Sequence, residues 1–183
     1  MDANEWVDDV LGFWFDELAK EDWYASSPEL DARIEERFGA RLEHLIAHPF
    51  EVARDARAAL AAVIVLDQFS RNIFRGTGRA FAQDAAALSI ARDAISLGLD
   101  RQLSERERQF LYMPFMHSES LEVHAVSLEL FKGILGGGSL KWAIDHKVII
   151  EQFGRYPHRN AALGRESTPE ELAYLTDAST FGQ

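Results

Sequence analysis

Residues 58–66, which read Ala-Ala-Leu-Ala-Ala-Val-Ile-Val-Leu, form the longest apolar stretch of the chain. The stretch is far shorter than the roughly 20 residues that span a bilayer as a helix. Residues 63–66 alone would suit a strand, but turn-forming residues do not flank them, and the Ala-rich segment before them favours a helix. Because polar positions disappear from this stretch, we expect a helix at the centre of the core.

The segments on either side of this stretch also carry helical patterns. Apolar residues recur at helical spacing over residues 6–18, and Ser27 before Pro28 is typical of a helix start. Ser104 and Glu107 have the spacing of a capping box, and Pro114 is expected to kink or end the helix that this box begins. The second helix is expected to end near His48-Pro49. Further helices are predicted over residues 79–97, with Gly98 as C-cap, over 120–135 and over 140–153, and a last short helix is predicted after Thr168.

These patterns predict an all-α fold of seven to eight helices in a single domain over residues 1–183. Short connections between the helices favour antiparallel hairpins. No repeat of about 34 residues survives residue-by-residue matching. A degenerate tetratricopeptide-like array stays open as an alternative to an irregular bundle.

Composition excludes several classes of protein. The 183 residues include 30 Asp and Glu but only 19 Lys and Arg, for a formal net charge of −11. This balance argues against nucleic-acid binding and against anionic membrane surfaces, since both require basic residues. The absence of Cys excludes disulfides and thiolate metal sites. The first residues lack the features of a secretory signal, so we expect a cytoplasmic protein.

Three segments concentrate polar groups around aromatic residues, namely residues 67–75, 114–119 and 153–168. The last segment has three Arg and one His before any acidic residue appears, which is unusual in so acidic a chain. Because guanidinium groups bind carboxylates and phosphates, this pattern predicts a site for a small anionic ligand or an acidic peptide. The candidate binding residues are Asp67, Arg71, Asn72, Arg75, Arg155, His158, Arg159, Asn160 and Arg165.

A structural interpretation of the same residues stays open. The arginines can cap helices and pair with the surplus acids. Asp67 and Arg71 are four residues apart and can pair along a helix. Asp67 can instead be a buried acceptor that orients Arg71 or His158.

Catalytic candidates are few. His117, His158 and Glu119 can supply acid and base groups. His117 and His124 are seven residues apart, too far to hold one metal ion without a third ligand, so we expect no metal and no cofactor. Sequence motifs of nucleophilic catalysis and of phosphate-binding loops do not occur.

Two further features are interpreted as parts of the folded structure rather than as parts of a site. The aromatic residues near the N-terminus are expected in the core with a partly exposed edge, and a binding groove is the alternative; they are Trp6, Phe13, Trp14, Phe15, Trp23 and Tyr24. His146 is expected to be a hydrogen-bonded or exposed histidine.

The three polar segments resemble the signature blocks of an uncharacterised bacterial family whose fold is grouped with the tetratricopeptide-like helical superfamily. The resemblance covers residues 10–175. The chain has Ser70 where the family usually has Pro, Tyr156 where Phe is common and His124 where Gln is usual. The resemblance to this family implies a helical fold and supports the choice of the three polar segments, but it implies no activity.

Three hypotheses about function follow. In the first, the polar segments meet on the concave face of a helical-hairpin protein that binds an anionic ligand or a protein partner. In the second, the chain is a small metal-independent enzyme in which His117 or His158 transfers protons, a carboxylate orients it and arginines hold an anionic substrate. In the third, the segments form a buried hydrogen-bond network that fixes the helix packing.

Overall fold

The computed structural model describes residues 5–49, 55–134 and 138–177 of the chain. These residues form eight helices and no strand, which confirms the predicted all-α class. The helices are α1 (residues 5–17), α2 (Pro28–Ala47), α3 (residues 56–73), α4 (Asp84–Ser96), α5 (Glu105–Met116), α6 (Leu121–Lys132), α7 (Gly138–Phe153) and α8 (Pro169–Asp177). Short 3-10 turns cover Asp22–Tyr24, Gly78–Phe81, Leu99–Gln102 and Pro157–Arg159.

The helix ends follow the sequence signals closely. The Ser27 side chain accepts a hydrogen bond from the backbone N–H of Leu30, and α2 ends at Ala47, as expected. Ser104 and Glu107 form the predicted capping box of α5. Gly98 has a φ of +69° after α4, a left-handed conformation that favours glycine.

Some predicted limits differ from the structure. The helix expected to begin at residue 79 begins at Asp84, because Gly78–Phe81 forms a 3-10 turn instead. Pro114 does not end α5, which continues to Met116. The missing N–H of Pro114 affects only the last turn of this helix. The expected end of the helix over residues 120–135 lies outside the described residues.

Two helices contain π-helical segments, which are wider than an α-helix and accommodate one extra residue. Phe13–Glu17 forms the end of α1. In α3, Ile64–Phe69 is π-helical and Ser70–Ile73 resumes the α-helix. The backbone N–H of Ser70 donates to the carbonyl of Val65, five residues earlier. Neither segment was expected from the sequence.

Helix α3 lies at the centre of the core, as the Ala-rich stretch predicts. Every residue from 58 to 67 is buried, and α3 contacts α1, α2, α4 and α5. The consecutive pairs α5 with α6 and α6 with α7 also pack together. The tetratricopeptide-like arrangement and the single domain over residues 1–183 stay predictions.

Candidate functional site

Asp67 is fully buried in the π-helical segment of α3. Its Oδ1 accepts a hydrogen bond from Nη1 of Arg71 at 3.1 Å, and its Oδ2 accepts from the side-chain amide of Gln68. Burial raises the pKa of Asp67, but the charge of Arg71 and the contact with His117 outweigh it and hold this pKa below its usual range. Asp67 is therefore a charged acceptor inside the core.

His117 follows the last turn of α5 and reaches the same carboxylate. Its Nδ1 lies 2.8 Å from Oδ1 of Asp67. An ionised carboxylate only accepts hydrogen bonds, so Nδ1 carries the proton and Nε2 of the neutral ring keeps its lone pair. Burial lowers the pKa of His117 despite the opposing effect of Asp67. The ring is thus neutral and held in one tautomer.

A second carboxylate, Asp84 at the start of α4, extends the cluster. Nη1 of Arg71 lies 3.0 Å from Oδ1 of Asp84, and Nη1 of Arg159 donates to Oδ2 at 3.0 Å. The Phe81 ring lies beside both guanidinium groups, with its centroid 5.7 Å from Cζ of Arg71 and 4.6 Å from Cζ of Arg159. Two buried arginines and two carboxylates balance one another here, as buried charges require.

A cavity of about 280 Å³ lies beside this cluster, bordered by α3, α5 and α7. Its main polar lining residues are Gln68, Arg71, Asn72, Arg75, His117 and His146. Its apolar and aromatic walls come from Trp23, Tyr24, Met113, Met116, Phe131 and Trp142. Among the described residues that line the cavity, none is acidic.

Asp31 of α2 positions the next turn of α3 at the cavity. Its Oδ1 accepts a hydrogen bond from the side-chain amide of Asn72 at 2.7 Å. Arg75 donates to the same carboxylate through Nε at 2.7 Å and Nη2 at 3.0 Å. Four of the predicted binding residues thus come together at the end of α3 and in the turn that follows it, namely Asp67, Arg71, Asn72 and Arg75.

Other predicted residues hold the C-terminal segment against the body of the protein. We call Glu119, Arg155, Asn160, Arg165 and Glu171 the C-terminal clasp. Glu119 accepts hydrogen bonds from Nη1 and Nη2 of Arg165 at 2.7 and 2.9 Å. It also accepts from the backbone N–H of Tyr156 at 2.8 Å.

Glu171 is the second carboxylate of the clasp and is 2% exposed. It accepts from Nε and Nη2 of Arg155 at 2.7 and 2.8 Å, and from the Asn160 amide at 3.1 Å. The hydrogen bonds with Arg155 lower the pKa of Glu171 to about 2. Thr168 caps α8 as predicted, since it accepts from the Glu171 backbone N–H while its own N–H donates to the Glu171 carboxylate. The clasp residues do not line the cavity.

The buried ring of Tyr156 lies among histidines between the two clusters. Ring centroids of His158, His146 and His124 lie 5.4, 5.8 and 6.4 Å from that of Tyr156. Burial lowers the pKa of both His158 and His146 to about 3. Of these three histidines, only His146 lines the cavity, and its Nδ1 donates to the Trp142 carbonyl at 2.7 Å.

Within the described ranges, no three His, Asp or Glu side chains are grouped so that they could hold a metal ion. The absence of a metal and of a cofactor stays an expectation. No helix in the same ranges has the length and apolar character needed to cross a membrane.

Comparison with known proteins places the chain in a family. Residues 10–179 match the family described as "Bacterial protein of unknown function (DUF924)". The chain belongs to the DUF924 family. A solved structure of a protein of unknown function from Agrobacterium tumefaciens is 36% identical, with a TM-score of 0.87 over 94% of this chain and 97% of the other. No curated protein matches the chain.

DUF924 membership confirms the family resemblance that the three polar segments indicate. The sequence alone did not point to Asp31, Asp84 or His146 as parts of the site. Asp31 and Asp84 are two of 30 acidic residues, and composition does not distinguish them from the other acids. Trp23 and Tyr24 both line the cavity, which favours the alternative of a binding groove for this part of the aromatic set.

Proposed function

We propose that this DUF924 protein binds a small organic anion with an apolar body in the cavity beside α3. The observation that supports the proposal is the lining itself. The chain carries a net charge of −11, yet the described lining residues include two arginines and no acid. An anionic group placed there meets cations and hydrogen-bond donors without facing a carboxylate directly.

The arginines are held in position before any ligand arrives. Asp31 fixes the guanidinium of Arg75, while Asp67 and Asp84 fix that of Arg71. Groups that are already oriented lose little conformational entropy on binding, which favours affinity. Since those carboxylates also offset the arginine charges, we expect moderate affinity.

The walls favour a ligand with an apolar part. The indole rings of Trp23 and Trp142 and the thioether of Met113 border the same space. Ligand pockets typically combine such walls with a few oriented polar groups over about 300–1,000 Å³. At about 280 Å³ the cavity suits a small molecule better than a peptide segment.

Matched ligand pairs test the proposal by calorimetry. We expect benzoate to bind more tightly than benzamide, and octanoate more tightly than octanol. Each pair keeps the apolar body and changes the charge. Equal affinity within a pair would show that the cavity does not select anions. Binding by none of the four would contradict the proposal as a whole.

A pair of arginine variants locates the binding. Arg75 and Arg155 are both partly exposed and each pairs with a carboxylate, but only Arg75 of the two lines the cavity. We expect Arg75→Gln to weaken benzoate binding about tenfold, a loss of about 1.4 kcal/mol. Arg155→Gln is expected to leave the affinity unchanged. A similar loss in both variants would place the ligand elsewhere.

A further inference from the structure

We propose that His117 is the catalytic base of the cavity and removes a proton from a carbon next to a carbonyl group in a small carboxylate. This inference rests on the proposed anion binding and adds a reaction to it. It stands on three observations, namely the hydrogen bond that fixes the ring, the position of the ring at the cavity wall and the arginine beside it.

The first observation is the contact between Nδ1 of His117 and the fully buried Asp67, at 2.8 Å. Asp67 accepts the Nδ1 proton, so the lone pair is on Nε2. When Nε2 takes up a proton, the positive charge that develops on the ring lies against the Asp67 carboxylate. Asp67 is thus a positioning residue for His117.

The second observation is where the rest of the ring lies. The Nδ1 edge faces Asp67 in the interior, while the side chain of His117 is 14% exposed and lines the cavity. Nε2 of His117 is not among the buried nitrogens that lack a hydrogen-bond partner, so the part of the ring that carries Nε2 is the accessible part at the cavity. His146 also lines the cavity, but its Nδ1 partner is the neutral carbonyl of Trp142 rather than a carboxylate.

The third observation is that His117 and Arg71 contact the same carboxylate and line the same cavity. In the proposed step, the carbon–hydrogen bond of the ligand breaks, a bond from hydrogen to Nε2 forms, and the electron pair moves to the carbonyl oxygen as an enolate. Arg71, which lines the same cavity, supplies the positive charge that would stabilise the new anion. Return of the proton to carbon completes an exchange or isomerisation that needs no other reactant.

The surroundings favour this chemistry over acyl transfer. No hydroxyl among the described residues is hydrogen-bonded to His117, and the chain has no Cys. A nucleophile activated by this histidine is therefore missing from the described part of the site.

Phenylpyruvate, an aromatic carboxylate with a carbonyl group, is a direct probe. In heavy water we expect the protein to accelerate exchange of its carbon-bound hydrogens at least 100-fold over free imidazole at the same concentration. His117→Gln keeps a donor for Asp67 and is expected to lose this acceleration even at phenylpyruvate concentrations that saturate the wild type. Arg155→Gln, in the C-terminal clasp, is expected to keep it. Bound phenylpyruvate without accelerated exchange, or no binding of phenylpyruvate, would overturn the inference.

A second measurement needs no substrate. Diethyl pyrocarbonate acylates unprotonated imidazole nitrogens, and the exposed His44 and His48 serve as internal references. We expect His117 to react at least as fast as these two and to be protected by benzoate. We expect it to slow at least tenfold in Asp67→Asn, because the Asn amide can donate to Nδ1 and favour the tautomer that carries its proton on Nε2. An unreactive His117 would overturn the inference while leaving anion binding intact. A protein that binds none of the anions would refute the proposed function itself.

Discussion

The cluster beside the cavity and the C-terminal clasp contain the same kinds of charged residue. The cluster consists of Asp67, Arg71, Asp84, His117 and Arg159. In each, arginines meet carboxylates at 2.7–3.1 Å around one nearly inaccessible acid, which is Asp67 in the first and Glu171 in the second. They differ in what lies next to them. The cluster borders a cavity, whereas the clasp closes the last segment onto the body of the protein.

This difference shows that arginine-rich segments in an acidic chain do not by themselves indicate a ligand site. Asp67 is joined to the cavity through His117, whose ring is partly exposed there. Glu171 accepts its hydrogen bonds from Arg155, from Asn160 and from the backbone N–H of Thr168, just before α8. A polar network is a candidate site where it leaves a titratable side chain facing open space.

The largest expected effect separates the two regions by stability. Arg71→Met leaves Asp67 and Asp84 without their shared cation, and removing one partner of a buried pair costs about 3–5 kcal/mol. Arg155→Met is expected to cost much less, because Arg155 is more exposed. Urea unfolding of both variants measures the difference. Equal losses would mean that the clasp is as tightly coupled to the core as the cluster.

Glu171→Gln tests whether the clasp is independent of the cavity. Buried hydrogen bonds to a charged group contribute about 2 kcal/mol, so we expect a loss of that order. Hydrogen exchange is expected to rise in α8 and not in α3. Affinity for benzoate measured on the same variant is expected to stay unchanged, and a clear fall would join the two regions into one site.

The histidines near the cavity predict a stability that depends on pH. Burial lowers the pKa of His117, His146 and His158, so the folded protein binds fewer protons than the unfolded chain below pH 6.5. Stability is therefore present above that pH and is lost as the pH falls, by at most about 1.4 kcal/mol per pH unit for each histidine.

Urea titrations between pH 7 and pH 4.5 measure this slope. We expect His146→Gln to reduce the slope of the unfolding free energy against pH by up to about 1.4 kcal/mol per pH unit, which corresponds to one bound proton. Ser89→Ala, which removes no titratable group, is the control and is expected to leave the slope unaltered. A slope that does not change in His146→Gln would mean that His146 is not buried in the neutral form.

The smallest effect concerns Ser70, next to the π-helical segment. Its hydroxyl is buried and has no hydrogen-bond partner among the described residues. An unsatisfied buried hydroxyl is unfavourable, so Ser70→Ala is expected to raise stability by up to about 1 kcal/mol. Ser89→Ala on the half-buried part of α4 reports the effect of helix propensity alone. An equal rise in stability in both variants would mean that helix propensity, and not the unsatisfied Ser70 hydroxyl, causes the effect.

Local signals made most of the fold predictable. Ser27, Ser104 and Gly98 mark helix limits through interactions within a few residues, and the structure has those limits. The partners of the site were harder to predict because they are far apart in sequence. Asp31 is 44 residues from Arg75, and Arg159 is 75 residues from Asp84.

The pairing of Asp67 with Arg71 was predictable from their spacing, but its contact with His117 was not. That contact depends on the packing of α3 against α5. The π-helical segment was also hidden, because its residues have the same apolar pattern as an ordinary helix.

The π-helical segment of α3 also limits how the length of the chain can vary. Successive residues of an α-helix are turned by about 100° relative to one another. Because the π-helical segment Ile64–Phe69 holds one residue more than an α-helix of the same total rotation, deleting one of its residues would leave Arg71 facing nearly the same way relative to the Ala-rich half. Deleting one residue within Ala56–Val63 would instead turn the residues on its two sides by about 100° relative to one another. A one-residue deletion should therefore be tolerated better in the π-helical segment than in the α-helical half of α3.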